Sequence, residues 1–155
     1  MAFRGNHQTR VDEKFRLKLP VEYKRLVDEQ YGPVFYITSV NGKRAQIYPM
    51  KVWEANEAEM ARLPAMDPDV ADYLDVTAYY GQTVEMDSLG RLLMPAVIRQ
   101  SAKLLGDVNV MGKTTILEVT NLEMFLEERK GASGLVEMGR EGQAALSEKL
   151  KAAKG

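Results

Sequence analysis

One nine-residue pattern occurs twice in this chain. Asp12-Glu13-Lys14-Phe15-Arg16-Leu17-Lys18-Leu19-Pro20 lines up with Asp87-Ser88-Leu89-Gly90-Arg91-Leu92-Leu93-Met94-Pro95 at an offset of 75. Asp, Arg, Leu and Pro match at equivalent places, and Lys24 and Arg99 continue the match as basic residues. A second match, Val40-Asn41-Gly42-Lys43 with Val110-Met111-Gly112-Lys113, follows at an offset of 70. A lone D-x-x-x-R arises by chance in many proteins. Two copies, each followed in order by L-x-x-P and V-x-G-K, signal duplication, and a duplicated supersecondary unit constrains the fold more than any propensity.

Each copy reads as strand, turn, short helix, hairpin, helix. Phe3–Val11 and Gln82–Met86 are strand material leading into the two turns, and Arg16–Leu19 and Arg91–Met94 are the return strands. Pro20 and Pro95 suit a first helical turn, where a missing N–H costs nothing. Tyr23, Leu26 and Val27 then fall at helical spacing, as do Ile98, Ala102 and Leu105, with Gly32 and Gly106 as the expected stops. Val34–Val40 is rich in β-branched and aromatic residues and joins Arg44–Tyr48 through the hairpin signal Asn41-Gly42. Val108–Met111 and Thr115–Val119 repeat this around Gly112. Helices are expected over Val52–Leu63 and Leu122–Lys130, and Asp67-Pro68 opens a further one that ends at Gly81. The expected division is 3–63 and 82–130 as the two units, 67–81 as a bridging helix and 131–155 as a C-terminal tail. Within that tail, Gly131–Gly134 looks like a hinge and Gln143–Lys154 like a helix.

Composition excludes several chemistries. At 155 residues the chain is one domain or two very small ones, and 45% apolar with 28% charged residues suits a folded protein. No cysteine is present, so disulfides, zinc–thiolate sites and cysteine nucleophiles are excluded. A single histidine, His7, excludes a multi-histidine metal site, and a Ser-His-Asp triad anywhere else in the chain. No metal and no cofactor is expected. The longest nearly apolar run, Leu92–Ile98, is far short of the about 20 residues of a membrane span. No secretory signal is read at the N-terminus, so the expected location is cytoplasmic, without membrane contact. Gly112-Lys113-Thr114 resembles the end of a phosphate-binding loop, but Asp107 stands where that motif needs glycine, and the place is expected to be a hairpin turn. Glu54, Glu57, Glu59, Glu123, Glu127 and Glu128 fall on helices whose solvated faces explain them. Nothing assembles a nucleophile, a base and an orienting group, so no enzyme is expected.

Charge is uneven. Residues 1–25 hold Arg4, Arg10, Lys14, Arg16, Lys18, Lys24 and Arg25 against Asp12, Glu13 and Glu22, while the whole chain carries −1. A basic end on an otherwise acidic chain suits a polyanion partner.

Phe3-Arg4-Gly5, the two D-x-x-x-R copies and Ile47-Tyr48-Pro49 with Trp53-Glu54 between them resemble the MraZ family, in order, over residues 1 to about 130. The resemblance implies an α+β protein. Two tandem SpoVT–AbrB-like β-α-β-β-α units would form a double-split β-barrel with flanking helices. It implies a bacterial transcription regulator, usually a repressor, of the gene cluster for cell division and cell-wall synthesis. Such a protein is nucleoid-associated, assembles into a ring-shaped homo-oligomer and binds direct repeats in double-stranded promoter DNA. The family ties DNA to the first turn, here Asp12 and Arg16. Three features differ from the family pattern: Phe15 replaces the usual glycine, Ala2 is additional, and the bridging helix carries Asp69, Asp72 and Asp75.

Paired strands enter a major groove as helices do. The DNA-binding residues expected here are Arg4, Arg10, Lys14, Arg16 and Lys18. Asp12 serves the first turn, and Asp87 with Arg91 forms a structural pair in the second. For Arg16 an ion pair with Asp12 is the competing role. A structural or antitoxin-like scaffold that binds a protein is the rival function. Phe15 is expected at an ordinary negative φ with its ring packed on a neighbour, because a bulky residue at positive φ is an outlier.

Overall fold

The computed structural model describes residues 2–154. One compact unit ends at Leu122 and a second begins at Glu123. The first unit opens with β1 (Asn6–Val11), β2 (Arg16–Lys18) and α1 (Val21–Leu26), which runs on as a π-helical turn over Val27–Tyr31. It continues through β3 (Val34–Thr38), β4 (Ala45–Pro49), α2 (Met50–Ala61) and α3 (Pro68–Tyr80). The second repeat supplies β5 (Gln82–Glu85), β6 (Arg91–Leu93), α4 (Ala96–Ser101), β7 (Gly106–Lys113) and β8 (Ile116–Asn121). Beyond it lie α5 (Leu122–Arg129) and α6 (Arg140–Lys154), neither with a buried side chain. Among the described residues no helix is long and apolar enough to cross a membrane.

The eight strands form one antiparallel sheet in the order β5-β3-β4-β8-β7-β1-β2-β6. Its end strands β5 and β6 lie against each other, so the sheet is a nearly closed barrel, the α+β double-split barrel that the family resemblance implied. Exchanging every strand for its counterpart in the other repeat keeps six of the seven paired neighbours; the seventh, β1 with β2, becomes β5 with β6, which lie in contact at the seam. The repeats are interleaved: β1 pairs with β7 along its full length, and β5 pairs with β3. Each hairpin therefore gains its outer strand from the other repeat. Alternate residues face a shared core in which Leu17, Phe35, Ile37, Ile47, Leu92 and Leu117 are fully buried. On the outer side of β3 and β4, Tyr36 stacks on Trp53 of α2 at 4.4 Å, and the Tyr36 and Thr38 hydroxyls both donate to the Thr77 carbonyl of α3.

Several sequence expectations are corrected. The second hairpin does not turn at Gly112, which lies inside β7; its turn is Thr114–Thr115, with Thr114 at φ 69°. The first hairpin is open, since six residues separate β3 from β4 and the Ser39 hydroxyl accepts from the Gly42 N–H inside them. The two V-x-G-K stretches thus occupy different structures. Gly112 is needed because the Phe3–Arg4 backbone crosses it: a Cβ there would stand 2.5 Å from Arg4 N. Phe3 is not in the strand but forms a bridge to Thr114, and its ring is buried against Tyr23 and Tyr31. Gly106 does not stop α4. That helix ends at Ser101, Lys103 turns the chain at φ 54°, and Gly106 begins β7. Leu104, not Leu105, is the buried residue that follows. Phe15 adopts φ 66°, close to the 76° of Gly90 at the matching place, so the expected negative-φ turn is wrong. Each turn is closed by hydrogen bonds from its arginine to its aspartate, Arg16 to Asp12 and Arg91 to Asp87, and the backbone is the same whichever residue stands fourth. For a non-glycine residue that backbone costs roughly 1–2 kcal/mol.

Candidate functional site

Both D-x-x-x-R turns are built alike. In the first, Asp12 Oδ1 accepts the Lys14 and Arg16 backbone N–H groups, each at 2.9 Å, and Oδ2 accepts Arg16 Nε at 2.9 Å. In the second, Asp87 Oδ1 accepts the Leu89 and Arg91 N–H groups, and Oδ2 accepts Arg91 Nε at 2.7 Å. The backbone N–H of Arg16 at Asp12, and that of Arg91 at Asp87, hold both carboxyl groups below the usual aspartate value of 3.8. A carboxylate that accepts several N–H bonds favours its charged form. The ion pair expected in the second copy, and the competing role for Arg16 in the first, is present in both.

Strand register decides which cations share a surface. Val11 pairs with Leu17, which sets Arg10 beside Lys18 on the outward face. Lys18 pairs with Arg91, and Arg10 pairs with Asp107. A cross-strand row therefore runs Asp107–Arg10–Lys18–Arg91 over β7, β1, β2 and β6. Arg10 is 75% exposed and meets Asp107 only loosely, at 3.6 Å. Arg16 lies two residues along β2 on the same outward side, and Lys14 sits in the turn itself. Four of the five expected residues, Arg10, Lys14, Arg16 and Lys18, are brought together. Arg4 is not with them. It sits on the segment pinned to β7, six residues before Arg10, or roughly 20 Å along a strand. The hydroxyl of Tyr23 donates to the Arg4 and Gly5 carbonyls and fixes that segment.

The matching surface of the second repeat differs in charge. An offset of 75 puts Glu85 in place of Arg10 and Leu93 in place of Lys18. The fold offers the same scaffold twice, and only one side is basic. Arg91 joins that side from the second repeat. Its local sequence points only to the pair with Asp87, because no local signal tells which strand β6 lies against.

Beside the row, Arg99 of α4 places its guanidinium carbon 3.6 Å from the centre of the Phe15 ring. At the matching place Lys24 of α1 lies over Gly90 and is paired with Asp28 at 2.7 Å. The expectation that Phe15 packs on a neighbour is met, although its backbone is not the expected one. His7 packs on Tyr23, with ring centres 4.9 Å apart. Lys113 lies in β7, 3.9 Å from Glu118, rather than in a loop that wraps phosphate. Among the described residues no group of three or more histidine, aspartate or glutamate side chains is placed to hold a metal ion.

No protein-family model matches the chain. It is 51% identical over 146 residues to the transcriptional regulator MraZ of Acidobacterium capsulatum, covering 94% of this chain and 97% of that protein. The transcriptional regulator MraZ of Koribacter versatilis is 46% identical over 131 residues, covering 84% and 89%. That of Mannheimia succiniciproducens is 29% identical over 153 residues, covering 96% and 97%.

Proposed function

Because the chain belongs to the MraZ family of transcriptional regulators, we propose that it binds double-stranded promoter DNA through the outward face of β1, β2 and β6. Arg10, Lys14, Arg16 and Lys18 are the contact residues of this interface, with Arg91 beside them and Arg4 reaching the flanking backbone. Asp12 and Asp87 hold the turns in shape. The observation that carries the reading is the cross-strand row of Arg10, Lys18 and Arg91, set against Glu85 and Leu93 at the matched positions. A two-stranded ribbon fits the major groove, where arginine reads guanine edges and lysine meets phosphates. Neither task needs a reacting group, and the protein acts as a regulator without enzymatic chemistry.

The regulated genes are the cell-division and cell-wall cluster, and the action is repression at direct repeats. These finer points follow from the family resemblance of the two motif copies. One ribbon with four or five cations binds weakly at physiological salt, because affinity falls steeply as counterions compete. A ring of copies on repeated sites raises the effective concentration without new contacts. In this reading the duplicated units 3–63 and 82–130 form one subunit of that ring, and the protein sits on the nucleoid in the cytoplasm.

The test is binding to duplex DNA from upstream of the protein's own gene, measured by anisotropy between 50 and 200 mM salt. Lys18→Gln should weaken binding on all sequences and lower the salt slope by about 1 for each bound subunit. Wild-type binding that ignores salt, or duplex DNA that does not bind at all, refutes the reading and favours a protein-binding scaffold.

A further inference from the structure

Phe15 stands at a backbone conformation that glycine fills at the matching place. Such a residue persists only where the surroundings hold it there. What its ring touches is Arg99, whose guanidinium carbon lies 3.6 Å from the ring centre. The two residues come from different repeats, since Phe15 is in the first turn and Arg99 is on α4. Among the described residues no carboxylate lies within salt-bridge distance of Arg99, and its buried Nε donates to nothing.

The matching pair behaves otherwise. Lys24 covers Gly90, yet its ammonium is neutralised by Asp28 at 2.7 Å. The scaffold thus holds a basic residue over each turn, and only the one over Phe15 keeps its charge for another partner. An aromatic face orders a guanidinium without using its hydrogen-bonding edges. With Nε buried, the outer edge that carries the two Nη groups is the planar fork suited to two oxygens of a phosphate. Lys14 and Arg16 flank Phe15 in the chain, so the fork adds to the basic surface already described.

We propose that Phe15 is a positioning residue that holds Arg99 of the second repeat beside the first turn as a contact for a DNA backbone phosphate. The inference rests on the interface proposed above. It assigns to this chain a contact that neither repeat makes alone. It also accounts for Phe15: the ring supplies the platform that a glycine lacks.

Anisotropy titrations of duplex DNA at several salt concentrations test it on the full chain. Arg99→Gln should lower the salt slope by about 1 per bound subunit and weaken all sequences alike. Arg99→Lys should keep the slope but lose affinity several-fold, because a point charge replaces the fork. Phe15→Leu, which keeps the backbone strain and removes the aromatic face, should weaken binding several-fold at an unchanged slope. Lys24→Gln is the control and should leave the slope unchanged. Melting of each variant is followed alongside, since a merely structural role would move the melting temperature and not the slope. An unchanged slope in Arg99→Gln while Lys18→Gln lowers it overturns this inference alone. If neither variant changes the slope, the interface itself is wrong. Loss on one sequence only would overturn the phosphate assignment in favour of a base contact.

Discussion

Gly112→Ala is the sharpest test of how the N-terminal segment is held. A Cβ at position 112 would stand 2.5 Å from both Phe3 C and Arg4 N, and backbone cannot swing aside as a flexible side chain can. The segment has to lift. Lifting strains the Phe3 N–H bond to the Thr114 carbonyl at 2.8 Å, its reciprocal at 3.0 Å, and the Gly112 N–H bond to the Gly5 carbonyl at 2.8 Å. It also withdraws the Phe3 ring, 1% exposed, from Tyr23 and Tyr31. Burial of such a ring contributes about 1.5–3 kcal/mol and each backbone bond about 0.5–1.5 kcal/mol. With partial relaxation the expected loss is about 3–5 kcal/mol, or roughly 10 °C of melting temperature for a chain of this size. Calorimetry or circular dichroism reads this directly. Phe3→Ala should cost a similar about 3–5 kcal/mol. The double variant should cost far less than the two added, because both release the same segment. Gly112→Ala melting within a degree or two of wild type, or strict additivity in the cycle, would refute the close-approach argument and restore a hairpin turn at this glycine.

Arg16→Ala and Arg91→Ala should lower the melting temperature by similar amounts, since their clips to Asp12 and Asp87 match within 0.2 Å; a drop confined to one of them would show that the turns are not equivalent. The two aspartates also set an acid limit. Their carboxyls titrate below 3.8 in the fold, so their contribution is complete above that value and is lost as pH falls through the lower folded pKa. Melting temperature should therefore be flat in this contribution from pH 6 to 8 and fall below about pH 4, and Asp12→Asn with Asp87→Asn should flatten the acid limb. Lys113→Ala should leave calorimetry with magnesium ATP as silent as in the wild type, because Lys113 extends from a strand beside Glu118; a saturable micromolar signal abolished by this substitution would show a phosphate site there.

Much of the fold was legible in local chemistry. The duplicated D-x-x-x-R followed by L-x-x-P marks turn, strand and helix start in both repeats, because Asp side chains and proline act on their own neighbours within a few residues. Asp67-Pro68 marked the start of α3 in the same way, and Asp67 accepts the Asp69 and Val70 N–H groups. The V-x-G-K match misled because it is also local: Gly42 serves a loop, while Gly112 serves a crossing by residues more than a hundred positions away. Phe15 misled for the opposite reason. Propensity argues against positive φ, yet the Asp12 clip fixes the turn and overrides it.

The candidate site divides along the same line. The sequence by itself determined that the first turn is basic and the second is not, since charge is a property of the residues present. Only the tertiary structure decided which of those charges share a surface. Register between β1 and β2, and between β2 and β6, puts Arg10, Lys18 and Arg91 in one row, leaves Arg4 at the far end of β1 and brings Arg99 onto Phe15. The physical reason is that strand pairing is set by burying alternate residues of both repeats in one core. That requirement is met jointly by segments some 75 residues apart, and no window of the sequence contains both.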